Sequence, residues 1–208
     1  MPGIQPKNTW LLIVSGVVAL VLVVGVVLLD EIAAPVDGII RVGALMGYLM
    51  VFLASVSSNY MRELTRYFGR RFVQVHHVAS VTALVALALH ATSVAWRAGS
   101  VNVFVPQFSS LNLFLSLGGR PAFWLIAITA LTALLRTSIG DSWKTIHWLN
   151  YLAFLLGTVH AQLIGPNFQH LGVRIVSIAM AVLVVVVFAL KRVEVYRRNQ
   201  RRKARAKK

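Results

Sequence analysis

Four histidines stand inside apolar stretches of this 208-residue chain: His76 and His90, 14 positions apart, and His147 and His160, 13 apart. An ionisable side chain within a membrane-crossing helix is costly and usually functional. At 1.5 Å rise per residue the two separations are about 21 and about 20 Å, so two helices carry the same two-rung ladder. Imidazole nitrogen is a metal ligand, and one imidazole on each face of a flat macrocycle completes six-coordinate haem iron. The chain has no cysteine, which removes disulfides, iron-sulfur clusters, c-type haem attachment and thiolate zinc. The pattern therefore predicts two bis-histidine sites for haem b, His76 with His147 and His90 with His160. One would lie near each membrane face.

Helical phase tests this pairing unevenly. Fourteen residues at about 100° each return to within about 40° of the starting face, so His76 and His90 can share a face. His77 falls about 140° from His90, which favours His76 as ligand and leaves His77 as its neighbour or a propionate partner. His147 and His160 have the same 140° mismatch, which a local overwinding or a bend near Gly157 would remove. The alternative is that each histidine is a hydrogen-bonded packing residue; four in matched positions argue against it. His170, beyond Pro166, is read in that ordinary way.

The elements that must carry the ladder are membrane helices. The composition is 58% hydrophobic and only 13% charged, against about a quarter charged in soluble domains. Spans of about 20 apolar residues are expected near Trp10 to Leu29, Ile39 to Ser57, Phe72 to Trp96, Ala122 to Leu135, Ile146 to Ile164 and Val173 to Leu190. The result is an all-α membrane protein, a six-transmembrane-helix bundle over residues 1–190 with its histidines on the third and fifth helices. A basic tail follows over 191–208. The first segment is longer than a signal-peptide core and Pro35 follows Ala33-Ala34, so it reads as a retained helix. The loop from Arg97 to Arg120, with apolar patches Val101 to Val105 and Leu111 to Leu117, is expected on the membrane surface.

Net charge is +15, but the basic residues are not interleaved with exposed aromatics, which argues against nucleic acid. They divide 17 to 4 between the two sides of the bundle, putting both termini in the cytoplasm of a cell inner or plasma membrane. Ten lie after Leu190, where they read as an anchor on anionic membrane lipids, with partner docking as the sharper alternative. Arg70, Arg71 and Lys144 precede the inner histidines, and Arg97, Arg120 and Arg174 lie on the outer side. All could bond haem propionates, although cations at helix ends also serve topology alone.

These residues resemble the ferric reductase-like transmembrane domain shared by NADPH oxidases, ferric reductases and the haem-binding subunit of the periplasmic methionine sulfoxide reductase system. The likeness covers nearly the whole chain. It is carried by the paired histidines, by Arg70-Arg71 through His90-Ala91-Thr92, and by Thr137-Ser138 through Trp143, Ile146-His147, Leu149, Tyr151 and His160. The 14 and 13 spacings are similar to those of NADPH oxidases, whereas Trp143 to His160 looks more like the sulfoxide reductase subunit. Members of that branch can lack the histidine found here as His76, so the branch stays open. No glycine-rich nucleotide loop is present. The resemblance thus implies electrons from quinol, or from a cytoplasmic flavin reductase or other flavoprotein whose flavin belongs to that partner. It also implies an extracytoplasmic redox acceptor.

With both axial positions filled, the chemistry would be outer-sphere electron relay rather than catalysis on a bound substrate. A stand-alone ferric or oxygen reductase component is the alternative within the same chemistry. A histidine-lined metal or proton transporter is the alternative outside it, but Glu63 and Asp141 fall in expected loops and no Asp or Glu lies mid-helix. A purely structural subunit would make the matched histidines accidental.

Overall fold

The structure is a computed structural model that describes residues 9–69 and 71–206. Arg70, expected near the inner histidines, and Lys7, counted for topology, lie outside the described residues.

The chain runs through α1 (Thr9–Val27), α2 (Pro35–Asn59), α3 (Met61–Phe68), α4 (Arg71–Ala98), a 3-10 turn (Val101–Phe104), α5 (Leu111–Ser116) and α6 (Gly119–Leu134). It continues through α7 (Arg136–Ile139), α8 (Ser142–His147), α9 (Leu149–Ile164), a second 3-10 turn (Pro166–Gln169) and α10 (Leu171–Ala206). Among the described residues there is no strand. The expected apolar segments fall on α1, α2, α4, α6, α8 with α9, and α10. Of these, α2, Phe72–Ala98 of α4 and Leu171–Arg205 of α10 are long and apolar enough to cross a membrane, while Ile13–Val27 and Gly119–Leu134 are shorter apolar helices. Large apolar side chains such as Ile13, Leu22, Val78 and Val182 stand exposed, as they do where the surrounding solvent is lipid. The protein is an all-α integral membrane protein.

Local chemistry explains the main boundaries. Pro35 opens α2 with Asp37 in its first turn, a position where the missing N–H costs nothing and a carboxylate suits the helix dipole. The Ser110 hydroxyl caps α5 by accepting from the Leu113 N–H. Gly69 and Gly140, at φ 81° and 65°, end α3 and α7 in the left-handed region that glycine enters without penalty.

Three features depart from the sequence expectation. Glu63 lies on α3 rather than in a loop. The last helix does not stop at Leu190 but runs unbroken to Ala206, because Lys, Arg and Gln are good helix formers and neither Gly nor Pro interrupts them. The fifth segment is not one continuous helix: it is broken at Trp148 by a locally overwound turn, the first of the two ways in which the phase mismatch could be removed. There the Trp148 N–H donates to the Thr145 carbonyl and the Tyr151 N–H to the Trp148 carbonyl, three residues back instead of four. Such turns advance about 120° per residue rather than 100°. Four overwound steps from His147 to Tyr151 recover about 80° of the roughly 140° mismatch with His160.

Helix α2 is the hub, packing on α1, α4, α9 and α10. Its closest partner is α4, and Gly43 and Gly47 make that approach possible. A Cβ on Gly43 would come 2.8 Å from the Ala86 carbonyl oxygen and 3.2 Å from the His90 nitrogen. Small residues four apart are the usual means of bringing membrane helices together, since lipid tails leave packing as the main attraction. The mid-bundle core joins Val51, Ala83, Phe154 and Val184, and a second cluster joins Val23, Val27, Leu45 and Phe168.

Gly43→Ala is expected to destabilise the protein by about 1–3 kcal/mol, because its methyl meets backbone rather than a movable side chain. Thermal unfolding in detergent measures this. Gly16→Ala, where nothing lies within 4 Å, should leave the transition in place or raise it.

Candidate functional site

Helix α4 leans on α2, and between α4 and α9 lies a cavity of about 350 Å³ whose walls include His90, His160, Arg41, Arg120, Tyr48 and Phe154. Both histidines are held by backbone carbonyls: His90 Nδ1 lies 2.9 Å from the Ile40 oxygen and His160 Nδ1 lies 2.7 Å from the Ser116 oxygen. A carbonyl only accepts, so Nδ1 carries the proton on each ring and donates it. Each Nε2 keeps its lone pair. This is the usual way a metal-binding imidazole is fixed in tautomer and orientation. Gly119 supplies room beside one of them, for a Cβ there would sit 2.8 Å from His160 Nε2.

His76 and His147 form a second group at the other end of the ladder. His90 and His160 thus stand at one cavity, with His76 one ladder length before the first and His147 before the second along the chain. His76 Nδ1 is buried without a hydrogen-bond partner, a costly state for a polar atom. The Asn150 amide lies 3.4 Å from His147 Nδ1, and Asn150 in turn accepts from the Thr129 hydroxyl at 2.6 Å. The Trp143 ring stands edge-on to His147, 5.7 Å between centroids. Neither His76 nor His147 lines the cavity. His77 is exposed, its ring centroid 6.1 Å from that of His76.

The expected cations divide. Arg120 reaches the cavity and donates from Nη1 to the Asn102 and Val105 carbonyls, each at 3.0 Å, tying the 3-10 turn over that end of the bundle. Arg97 is paired with Asp37, and Lys144 with Asp141 at 2.6 Å, both in exposed positions away from the cavity. Arg174 is exposed, and of Arg71 only the backbone is described. The Lys144 ammonium, hydrogen-bonded to Asp141, holds that carboxyl below the usual carboxylate range.

One cavity residue was missed from sequence, where it counted only towards topology. Arg41 is buried, at 8% exposure. Its Nε donates to Asn167 Oδ1 at 2.9 Å, Nη1 to the Glu31 carbonyl at 3.3 Å, and Nη2 to Asp30. His170 Nε2 lies 2.9 Å from the other Asp30 oxygen. The His170 hydrogen bond, with the charge of Arg41 nearby, holds the Asp30 carboxyl below its ordinary value despite some opposing desolvation. Asn167 completes the knot by donating to the Val26 carbonyl at 3.0 Å.

The donor set suits a macrocycle better than a bare ion. Among the described residues no three His, Cys, Asp or Glu side chains gather where they could hold a metal, so any metal here needs most of its ligands from elsewhere. Two imidazoles with free Nε2 atoms, apolar walls and two guanidinium groups match the axial ligands, flat face and carboxylates of a haem. At the other level the unpartnered His76 nitrogen is the matching feature.

A family model described as ferric reductase like transmembrane component matches residues 41–158. This stretch holds His76, His90 and His147, together with Arg41 and Arg120, and ends two residues before His160. No curated protein and no solved structure matches the chain.

Asn167→Ala should cost about 1–3 kcal/mol, since it strands the buried Arg41 Nε without an acceptor; thermal unfolding in detergent reads it. Because the Asp30 carboxyl is lowered in the folded state, its contribution is complete above its ordinary value of 3.8 and fades as pH falls below that through the folded value. Asp30→Asn should therefore narrow the loss of thermal stability measured as pH is taken from 5 to below 3.8.

Proposed function

The chain belongs to the ferric reductase-like transmembrane family, and from that membership we propose a b-type cytochrome of six transmembrane helices with two haems. The family makes it a transmembrane electron-transfer component, and such domains generally bind haem. The finer reading is a relay that takes electrons from a cytoplasmic flavoprotein or quinol and delivers them to an extracytoplasmic acceptor. A periplasmic reductase of the methionine sulfoxide type is the favoured acceptor. In this reading both termini are cytoplasmic.

The observation that carries the reading is the histidine pair at the cavity. His90 and His160 face it with both Nδ1 protons committed to carbonyls, and the buried His76 Nδ1, one ladder length before His90, has no hydrogen-bond partner. His90 and His160 would hold one haem and His76 and His147 the other, each iron supplying a one-electron couple when bound. The chain's own residues set the conditions around it. Backbone carbonyls fix the rings, Asn150 stands beside His147, and apolar walls keep water away. Arg41 and Arg120 place positive charge at one end of the cavity, where carboxylates would be met by charge-assisted bonds. A negative-inside potential assists an electron moving outward, by about 2.3 kcal/mol per 100 mV for full transit. Among the described residues no cluster of metal ligands supports the metal-transporter alternative.

Purified protein reduced with dithionite is expected to show a low-spin b-type spectrum with about two haems per chain. His90→Ala and His160→Ala should each remove the same haem, and His76→Ala and His147→Ala the other, leaving roughly half of the signal. His77→Ala should retain both. A preparation from a haem-replete host that binds none would end the proposal, and loss on changing His77 but not His76 would reassign the ligand.

A further inference from the structure

The basic segment beyond Leu190 changes meaning once its shape is known. A flexible tail could lie along lipid headgroups, but here the segment is the continuation of α10, helical without interruption to Ala206. The bundle fixes the direction of that helix through its packing on α2 and α9. Its base is fixed as well. The Arg192 guanidinium stacks 4.4 Å from the Trp148 ring centroid and 5.4 Å from that of Phe188, while Lys191 pairs with Glu194 at 2.9 Å. Trp148 is the overwound residue that follows His147, so the foot of the projecting helix touches the element carrying one inner histidine.

Arg201 and Arg205 stand 11 and 15 residues past Leu190, about 16 and 22 Å along the axis. Headgroup charge is screened over about 8 Å at physiological ionic strength. The far arginines are therefore beyond the pull of a lipid surface. At about 100° per residue, Arg197, Arg198, Arg201, Arg202 and Arg205 fall within an arc of about 140°, and all five are exposed. Among the described residues none of the five forms an ion pair, Glu194 being held by Lys191. A stripe of guanidinium forks is suited to carboxylates, which it can bind two bonds at a time.

Resting on the relay reading above, we propose that the arginine face of α10 is the docking surface for the electron donor, a soluble redox protein with an acidic surface around its flavin. The stripe steers such a donor by long-range attraction, which raises association rates and makes them salt-dependent. It holds the donor beside the inner histidine pair, to which Trp148 and Arg192 connect it.

The test uses the full chain in nanodiscs of neutral lipid, with oxidised flavodoxin as the acidic flavoprotein probe. Wild type should bind it at 50 mM salt and at least about tenfold more weakly at 500 mM. The variant R197E/R198E/R201E/R202E should lose at least tenfold at low salt, and the corresponding glutamine variant should fall between. Full haem content in each variant shows that it is folded. Equal binding by wild type and the reversed variant, or a flat salt response, overturns the proposal. So does loss of wild-type binding in phosphatidylglycerol discs, which would mean that lipid occupies the stripe. Reduction by free dihydroflavin mononucleotide addresses the relay separately. If haem is bound and none is reduced, electron entry at this face is wrong while the binding result still decides the role of the stripe.

Discussion

The hydrogen bond from His160 Nδ1 to the Ser116 carbonyl shows what the architecture must solve. An imidazole in hydrocarbon has two nitrogens, and each must be satisfied or be kept for a ligand. Ser116 is the last residue of α5, where a helix has carbonyls without intrahelical partners. The orphan acceptor and the buried donor satisfy one another, and the ring is left with one free lone pair in a set direction. His90 reaches the same state through the Ile40 carbonyl of α2. That is possible only because Gly43 lets α4 come so close. A packing motif and a ligand orientation are thus the same fact seen from two helices.

Charge at this end of the bundle obeys the same rule. A buried guanidinium is tolerable only when its donors are occupied, and Arg41 spends its own on Asn167, Asp30 and the Glu31 carbonyl. These partners come from the α1–α2 and α9–α10 connections, so the cation that lines the cavity also ties those two connections to α2. Arg120 does likewise for the loop after α4, and Trp124 adds a 2.7 Å bond from its ring nitrogen to the Phe104 carbonyl. The loop expected to rest on the membrane surface is a cover on the cavity. Its exposed side chains, Val101, Val105, Phe108 and Leu111, remain apolar as a surface position requires.

That His90 and His160 meet at one cavity was legible in the sequence, because helical rise is nearly constant and spacing converts directly to depth. Rotation was less legible. The 13-residue spacing of His147 and His160 called for an overwinding or a bend but could not place it, because the turn at Trp148 depends on a local pattern of hydrogen bonds beside the stacked Arg192. Arg41 was hidden because counting cations by side treats a buried and a solvated arginine alike. Its partners Asp30 and Asn167 are 11 and 126 positions away. Lys144 and Asp141, three apart on one short helical turn, could have been paired in advance, and doing so would have removed Lys144 from the candidates. Gly43 and Gly47 carry a small-residue spacing that was readable, but the partner helix was not.

The two ends of the bundle handle positive charge in opposite ways, and this gives the molecule a direction. Where His90 and His160 meet the cavity, Arg41 and Arg120 are turned inward to a carboxylate, carbonyls and an amide oxygen of the same chain, and the exposed Arg97 is paired with Asp37. Most of the positive charge there is already used, Arg174 standing exposed. At the other end α10 leaves the bundle carrying a row of arginines that form no ion pair among the described residues. Coulomb attraction acts at a distance and contact only at short range, so a partner at this end is sought by its charge, whereas one at the cavity end must be recognised by shape and by the apolar loop. In the relay proposed above, donor and acceptor have to be told apart, and the unequal use of arginine would supply that distinction before any electron moves.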